Sequence, residues 1–117
     1  MGLFLLQKTT IIANPKAGSG RAERHAIDLE CLLQERGVSA TRAVPRTSIE
    51  ARTVAKDAIL AGSECLVVAG GDGSLRNILD IVANSTAALA LLPTGRGNDF
   101  AKAVCGKITP ERMAASI

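Results

Sequence analysis

Short apolar runs alternate with stretches of helical periodicity, and this alternation constrains the fold more than any other feature of the chain. Four runs predict strands, at residues 9–14, 39–44, 65–70 and 88–92. Each run is followed by a helical pattern, so the predicted order is β-α-β-α-β-α-β-α. Such an order implies a parallel sheet with helices on both faces and right-handed crossovers.

Three helices are predicted between these strands. The first covers residues 21–36 and ends at Gly37. The second opens at Thr47, which has the spacing of a capping box to Glu50, and stops at Gly62. The third follows residues 70–74. The residues expected to face the core, in chain order, are Ala22, Ala26, Leu29, Leu33, Ala51, Val54, Ala55, Ala58, Leu75, Ile78, Leu79 and Val82.

The order of the strands follows from their polarity. Residues 39–44 are more polar than the other runs, as expected for a strand at a sheet edge, and we predict the order 2-1-3-4, with 3-2-1-4 as the alternative. The fold class is therefore an α/β, three-layer, doubly wound, Rossmann-like sheet. In such sheets ligands bind beyond the carboxyl ends of the strands, where the strand order reverses. A short fourth helix is predicted after Gly97.

The composition indicates one intracellular domain. The chain has 117 residues, of which 47% are apolar, and a net charge of +3. Two Phe and no Trp or Tyr argue against a platform for base stacking, so no nucleic-acid partner is expected. No apolar run approaches the ~18 residues of a membrane span. Three widely spaced cysteines favour a reduced, cytoplasmic compartment, with Cys31 and Cys65 expected in the core.

Three glycine-containing segments follow the first, third and fourth strands, at residues 14–21, 70–74 and 93–99. In a parallel sheet they all open at one edge. Glycine permits positive φ and a close approach of a ligand to the backbone, and successive amides at a helix N-terminus form an anion site. The segments carry or adjoin the basic residues Lys16, Arg21, Arg76 and Arg96. Neither the dinucleotide fingerprint nor a P-loop is present.

Asp72 lies among the glycines of the second segment, where its carboxylate would repel a phosphate. One interpretation is a tight turn in which Asp72 caps the helix that follows. The other places a cation between the carboxylate and the phosphates, since Mg²⁺ takes one or two carboxylates plus phosphate oxygens. We favour the second interpretation, in which Asp72 holds a metal–nucleotide.

Three motifs in fixed order, NPKAGSG, GGDGS and LLPTGRGNDFAKAV, resemble the nucleotide-binding domain of the diacylglycerol kinase catalytic family, which includes sphingosine kinases and bacterial lipid kinases. The resemblance extends from Thr9 to about Val104. The GGDG core is shared with NAD kinases and phosphofructokinases, whereas the segment from Pro93 to Phe100 is more particular to lipid kinases. The resemblance implies transfer of the ATP γ-phosphate to a lipid hydroxyl such as that of diacylglycerol.

The same resemblance implies a role for each loop. The first would contact the nucleotide, the second would hold phosphates and Mg²⁺, and the third would complete the pocket. The implied nucleotide-binding residues are Asn14, Pro15, Gly18, Arg21, Gly70, Gly71, Asp72, Gly73, Ser74, Gly95, Arg96 and Asn98. The implied metal ligands are Asp72 and Asp99, the latter toward the metal or the lipid side.

Some positions depart from the family pattern. Ser74 replaces the usual Thr, Asn77 stands where Glu is usual, and Arg96 stands where Thr is common. The second, mostly β domain that carries the lipid site and the general base is not recognisable in residues 1–117. The one histidine, His25, is expected at a solvated position and not as a base, so no catalytic residue is assigned. We therefore expect the ATP-binding half of a lipid kinase, inactive by itself.

Two other functions stay open at this point: a kinase of a soluble substrate, as NAD kinase is, and a non-catalytic nucleotide-binding or dimerising module. A further helix is predicted to begin with Thr109 as its N-cap and Pro110 in its first position, and its length of barely two turns suggests a piece of a longer protein. The uncharged fourth strand at the sheet edge predicts self-association of this piece as a two-fold dimer, through that strand and the C-terminal tail. A lipid substrate would be met at the inner membrane surface, where the whole protein would bind peripherally.

Overall fold

Four parallel strands and three long helices make up the computed structural model, which describes residues 8–93, the side chains of residues 18 and 19 excepted. The strands are β1 (Lys8–Ala13), β2 (Ser39–Ala43), β3 (Cys65–Gly70) and β4 (Ala88–Pro93). The helices are α1 (Arg21–Glu35), α2 (Ser48–Leu60) and α3 (Asp72–Ala83), and a 3₁₀ turn (Ala17–Gly20) precedes α1. The predicted helix after Gly97 lies outside the described residues.

The sheet has the order β2-β1-β3-β4, with all three neighbouring pairs parallel. The predicted order 2-1-3-4 is confirmed, and the polar strand β2 lies at one edge. The chain leaves β1 toward β2 on one side, and later enters β3 on the other side of β1. The strand order therefore reverses between β1 and β3, which is where a crevice opens in sheets of this kind.

The core lies on both faces of the sheet. On one face, α1 packs Ala22, Ala26, Leu29 and Leu33 against side chains of β1 and β3, and all four are fully buried. On the other face, α2 and α3 pack together against the alternate side chains, such as Ile12. β3 is buried along its whole length, because helices cover both of its faces. This is the predicted three-layer α/β architecture.

The helix patterns predicted the right elements but misjudged the exposure of particular residues. Leu79 is 50% exposed, because α3 presents Ile78 and Val82 to the sheet and Leu79 lies about 100° around the helix from Ile78. Cys31, expected in the core, is exposed, since it lies outside the buried stripe of α1. His25, expected in solvent, is half-buried and borders that stripe. Its Nδ1 is buried without a hydrogen-bond partner among residues 8–93.

The contrast between two of the cysteines leads to a test of the fold. Cys65 lies in β3 and is 2% exposed, and burial raises the pKa of its thiol to about 11. Thiolate is the reactive form, so in the folded protein at pH 8 alkylation of Cys65 should be more than about 100-fold slower than that of exposed Cys31. Peptide mass spectrometry after timed iodoacetamide treatment measures both rates. In denaturant the two rates should become similar, and equal rates without denaturant would contradict the burial of β3.

β4 lies at the edge of the four described strands, opposite β2, as predicted. The C-terminal tail lies outside the described residues, so self-association through β4 and that tail stays a prediction. Within residues 8–93, no helix combines the length and the apolar character needed to cross a bilayer.

Candidate functional site

The loops that follow β1 and β3 are joined directly at the carboxyl edge of the sheet. The backbone N–H of Asn14 donates to the carbonyl of Ala69 at 3.1 Å. The Asn14 side chain then uses both ends of its amide: Nδ2 donates to Ser74 Oγ at 3.1 Å, and Oδ1 accepts from the backbone N–H of Lys16 at 3.0 Å. One side chain therefore holds the turn after β1 against the first turn of α3, and two of the three predicted loops meet as expected.

Gly70 is needed because of close packing and not because of an unusual backbone angle. Among the described glycines, positive φ occurs at Gly20, Gly37 and Gly62, and not at Gly70. A Cβ at Gly70 would lie 3.0 Å from Ser74 Oγ and 3.5 Å from the Cβ of Asn14. The absence of a side chain there lets α3 begin directly against the loop after β1.

The helices that begin at this edge differ in how their N-termini are capped. The N-caps of α1 and α3 are Gly20 and Gly71, and neither makes a side-chain cap bond. Gly71 offers the first amides of α3 no side-chain acceptor, so these amides can face a ligand or water. α2 is capped by its own Thr47, whose Oγ1 accepts from the N–H of Glu50 at 3.0 Å, while Glu50 Oε2 accepts from the N–H of Arg46 at 2.8 Å. The predicted cap at Thr47 is confirmed, but Glu50 accepts from the residue before the cap, whereas in a reciprocal capping box it would accept from the N–H of the cap itself.

Asp72 is the first helical residue of α3 and not its cap, because Gly71 occupies the cap position. Asp72 Oδ1 is buried and has no hydrogen-bond partner in the described part of the chain. A buried carboxylate oxygen without a partner is costly, and the positive end of α3 offsets only part of that cost. An oxygen in this situation suits a cation, so Asp72 fits the predicted metal ligand.

Residues 8–93 contain no group of three or more His, Cys, Asp or Glu side chains that could hold a metal by themselves. A hard cation at Asp72 would therefore need oxygen ligands from elsewhere. Mg²⁺ is commonly held in this way, by one or two carboxylates together with substrate phosphates and water. The second predicted metal ligand, Asp99, lies outside the described residues.

A cleft of about 650 Å³ opens between β1 and β3, at the reversal of strand order. Its floor includes Ile12 and Val68, so it is apolar at the base. The polar rim comes from three segments: the loop after β1, the loop after β2 with the start of α2, and the start of α3. The polar and glycine residues of this rim are Asn14, Lys16, Arg46, Thr47, Ser48, Gly71, Gly73, Ser74 and Asn77.

The charged side chains among the described lining residues of this cleft are both positive. Lys16 and Arg46 line it from two different loops, and no carboxylate side chain is among the described residues of its lining. Both cations are exposed, so each can move toward a bound anion. An apolar floor with a cationic rim and open helix amides suits a ligand that has a flat apolar part and several negative charges.

Sequence reasoning missed the wall of the cleft formed by Pro45, Arg46, Thr47 and Ser48. It took glycine as the mark of a ligand loop, and this segment has none. A usable signal was present, since the capping box at Thr47 places the N-terminus of α2 just after β2, and every strand of a parallel sheet ends at the same edge. The loop after β2 therefore had to open toward the same crevice.

The start of α2 is held to α3 by polar contacts across the cleft. Asn77 Nδ2 donates to the carbonyl of Ser48 at 2.9 Å. Arg52 donates to the carbonyl of Asn77 at 2.6 Å and makes a two-bond ion pair with Asp80, at 2.8 and 2.9 Å. The hydrogen bonds from Arg52 lower the pKa of Asp80 to about 2, and those to Asp80 raise the pKa of Arg52.

This ion pair predicts how stability depends on pH. The pKa of Asp80 is depressed in the folded protein, from 3.8 to about 2, so its contribution to stability is complete above about pH 4 and is lost as the pH falls toward 2. The side chain of Asp80 is 61% exposed and that of Arg52 is 35% exposed, so the effect is small. Asp80→Asn should lower the melting temperature slightly at pH 7, and the gap from the unaltered protein should close near pH 2. A gap that stays constant with pH would contradict the ion pair.

The predicted site residues divide into three groups. Asn14, Gly71, Gly73 and Ser74 line the cleft, and Gly70 and Asp72 adjoin it in the same turn. Pro15 and Gly18 belong to the loop after β1, whereas Arg21 and Arg76 are exposed and are not among the described lining residues. Gly95, Arg96, Asn98 and Asp99 lie outside the described residues.

The fold and the cleft define a class of protein: a doubly wound α/β domain with a cationic, glycine-rimmed ligand cleft where the strand order reverses. The sequence profile of the diacylglycerol kinase catalytic domain matches residues 8–117, and the chain belongs to that family. The family predicted from the three motifs is thereby confirmed.

Individual relatives agree with this assignment. A diacylglycerol kinase of Mycobacterium tuberculosis is 34% identical over 95 residues, which are 81% of this chain and 31% of the relative. A Pseudomonas fluorescens protein named "probable lipid kinase YegS-like" is 43% identical over 63 residues, 52% of this chain and 21% of the relative. The chain thus spans about a third or less of the curated relatives it matches.

A solved structure shows the same fold. The crystal structure of a diacylglycerol kinase from Bacillus anthracis str. Sterne matches 96% of this chain and 43% of its own, with a TM-score of 0.75 and 20% identity. At that level of identity the likeness concerns the fold alone.

Proposed function

We propose that this chain is the nucleotide-binding domain of a kinase that transfers the γ-phosphate of ATP to the hydroxyl of a lipid such as diacylglycerol. The observation that supports the proposal most is the pairing of a cationic cleft without lining carboxylates and one buried, unpartnered oxygen of Asp72 beside it. A polyphosphate fits the cationic cleft, and its magnesium ion fits the oxygen of Asp72. The family supports the reaction type.

The residues have distinct roles in this proposal. Asn14 and Ser74 hold the two loops in register, so that the amides at the start of α3 face one phosphate group. Lys16 and Arg46 offset the phosphate charge from opposite sides of the cleft. Asp72 holds Mg²⁺, which when bound neutralises charge between phosphate groups. From the segment after β4, we propose that Gly95, Arg96 and Asn98 contact the nucleotide and that Asp99 is a second metal ligand.

The acceptor side of the reaction lies beyond this domain in the proposal. Phosphoryl transfer to a hydroxyl usually needs a group that accepts its proton. His25 lies on α1, on the face of the sheet opposite α2 and α3, and is not among the described residues that line the cleft. We therefore propose that the base and the lipid site belong to the longer part of the relatives that this chain does not span.

A titration of the full-length protein with ATP, with and without Mg²⁺, tests the nucleotide half of the proposal. We expect binding to strengthen at least about tenfold with Mg²⁺, because the metal removes the repulsion between Asp72 and the phosphates. Absence of ATP binding at millimolar concentration would overturn it. Transfer of labelled phosphate to diacylglycerol in mixed micelles tests the lipid half, with NAD as the soluble competitor. Labelling of NAD but not lipid would favour the NAD-kinase-like alternative.

A further inference from the structure

Asn77 lines the cleft, and its hydrogen bonds give it a structural role there. Its side chain donates to Ser48 and its backbone carbonyl accepts from Arg52, so both of its described contacts reach α2. A carboxylate at this position could not donate to the Ser48 carbonyl. It would also place a negative charge in a cleft whose described lining has only Lys16 and Arg46 as charged side chains.

We propose that Asn77 is a positioning residue for the ligand cleft. It holds the first turn of α2, and with it Thr47 and Ser48, as a fixed wall opposite the start of α3. Because its side chain is a neutral amide, Asn77 does not offset the positive charge of Lys16 and Arg46, which can then act on the ligand. The positioning follows from the contacts alone, whereas the effect on a polyphosphate rests on the proposed function.

The positioning is tested without any ligand. The N–H of Ala51 bonds to Thr47 within the first turn of α2. Asn77→Ala removes the bond to Ser48, and hydrogen exchange at residues 51–53 should accelerate about three- to tenfold. Asn84→Ala is the matched control, because Nδ2 of Asn84, the C-cap residue of α3, also donates to a backbone carbonyl, that of Asp80 at 2.9 Å, but at the far end of the helix. Unchanged exchange in Asn77→Ala would overturn the positioning role.

The charge effect is tested with two ligands that differ in phosphate content. Asn77→Ala should weaken ATP and adenosine binding by a similar factor, about three- to tenfold, because only the wall is loosened. Asn77→Asp has the same shape but adds a charge, and should weaken ATP binding at least about tenfold more than Asn77→Ala does, while adenosine binding falls equally in both. A purely structural role would not separate ATP from adenosine.

The outcomes distinguish this inference from the proposed function. If the unaltered protein binds no ATP while Asn77→Ala accelerates exchange at residues 51–53, the proposed function fails and the positioning stands. If ATP binds and both variants bind it within twofold of the unaltered protein, the proposed function stands and the role of Asn77 in ligand binding is overturned. If Asn77→Asp and Asn77→Ala weakened ATP binding by the same factor, the charge effect would be overturned.

Discussion

Asp72→Asn should reduce kcat/KM for phosphate transfer by about 100-fold or more in the full-length protein, while the fold stays intact. The substitution keeps the shape of the side chain and removes the charge that we propose holds Mg²⁺ at the phosphates. Losing one preorganised electrostatic contact to the transition state typically has an effect of this size. Kinetics with saturating Mg²⁺ measure it.

The Asp72→Asn variant should lose activity without losing thermal stability. Asp72 Oδ1 is buried without a hydrogen-bond partner among residues 8–93, and the N-terminus of α3 offsets only part of the cost of burying it. Replacing the carboxylate by a neutral amide should leave the melting temperature unchanged or raise it, since an amide costs less to bury without a partner than a carboxylate does. Asp28→Asn, on the exposed surface of α1, is the control and should change neither quantity. If the Asp72→Asn variant kept more than half of the turnover of the unaltered protein, the role of Asp72 as a metal ligand would be contradicted.

Gly70→Val should be the most destabilising single change in the site, by about 1–3 kcal/mol, and should also weaken ATP binding. The Cβ alone would lie 3.0 Å from Ser74 Oγ and 3.3 Å from Ser74 Cβ. Rotation of Ser74 moves the hydroxyl away but breaks its bond from Asn14, and it does not move the Cβ. The first turn of α3 has to shift, which is the usual consequence of overpacking a closely fitted site. Gly70→Ala should show the same effects to a smaller degree.

Gly73→Ala is the matched control, because a Cβ at Gly73, which lies inside α3, would have no neighbouring atom within 4 Å among residues 8–93 outside its own helix backbone. Alanine in a helix is favoured over glycine by about 0.5–1 kcal/mol, so this variant should be as stable as the unaltered protein or more so. Urea denaturation compares the three proteins. If Gly70→Val and Gly73→Ala were equally stable, the close packing of α3 on the loop after β1 would be refuted.

The fold was largely predictable because each element carries its own pattern. The strand order followed from the polarity of residues 39–44. The helix cap at Thr47 was predicted from two residues three apart, and the bond from the Glu50 N–H confirms it. One kind of error remained. Leu79 and Cys31 match apolar patterns but are exposed, because periodicity shows that a helix has a buried face without setting where that face ends.

The site was predictable in part, for a related reason. Glycine-rich segments after strands one and three are visible in the sequence, and parallel strands bring them to one edge. The wall at Thr47 and Ser48 was missed, since nothing in its composition marks a ligand. The sequence marked Asn77 only as a departure from the family pattern. Its positioning role depends on the atoms of α2 that lie opposite its side chain.

By itself, then, the sequence determined the element order, the sheet order, the family and the edge at which the loops meet. These properties depend on local patterns of polarity, capping and glycine that act within a few residues of each other. Tertiary structure alone decided that Asn14 bonds to Ser74, 60 positions away, that Asn77 holds Ser48, 29 positions away, and that one oxygen of Asp72 is buried without a partner. The physical reason is that hydrogen bonding and desolvation depend on the atoms that packing brings into contact. A linear pattern shows that a helix or strand has a buried face, but not which residues meet across the core.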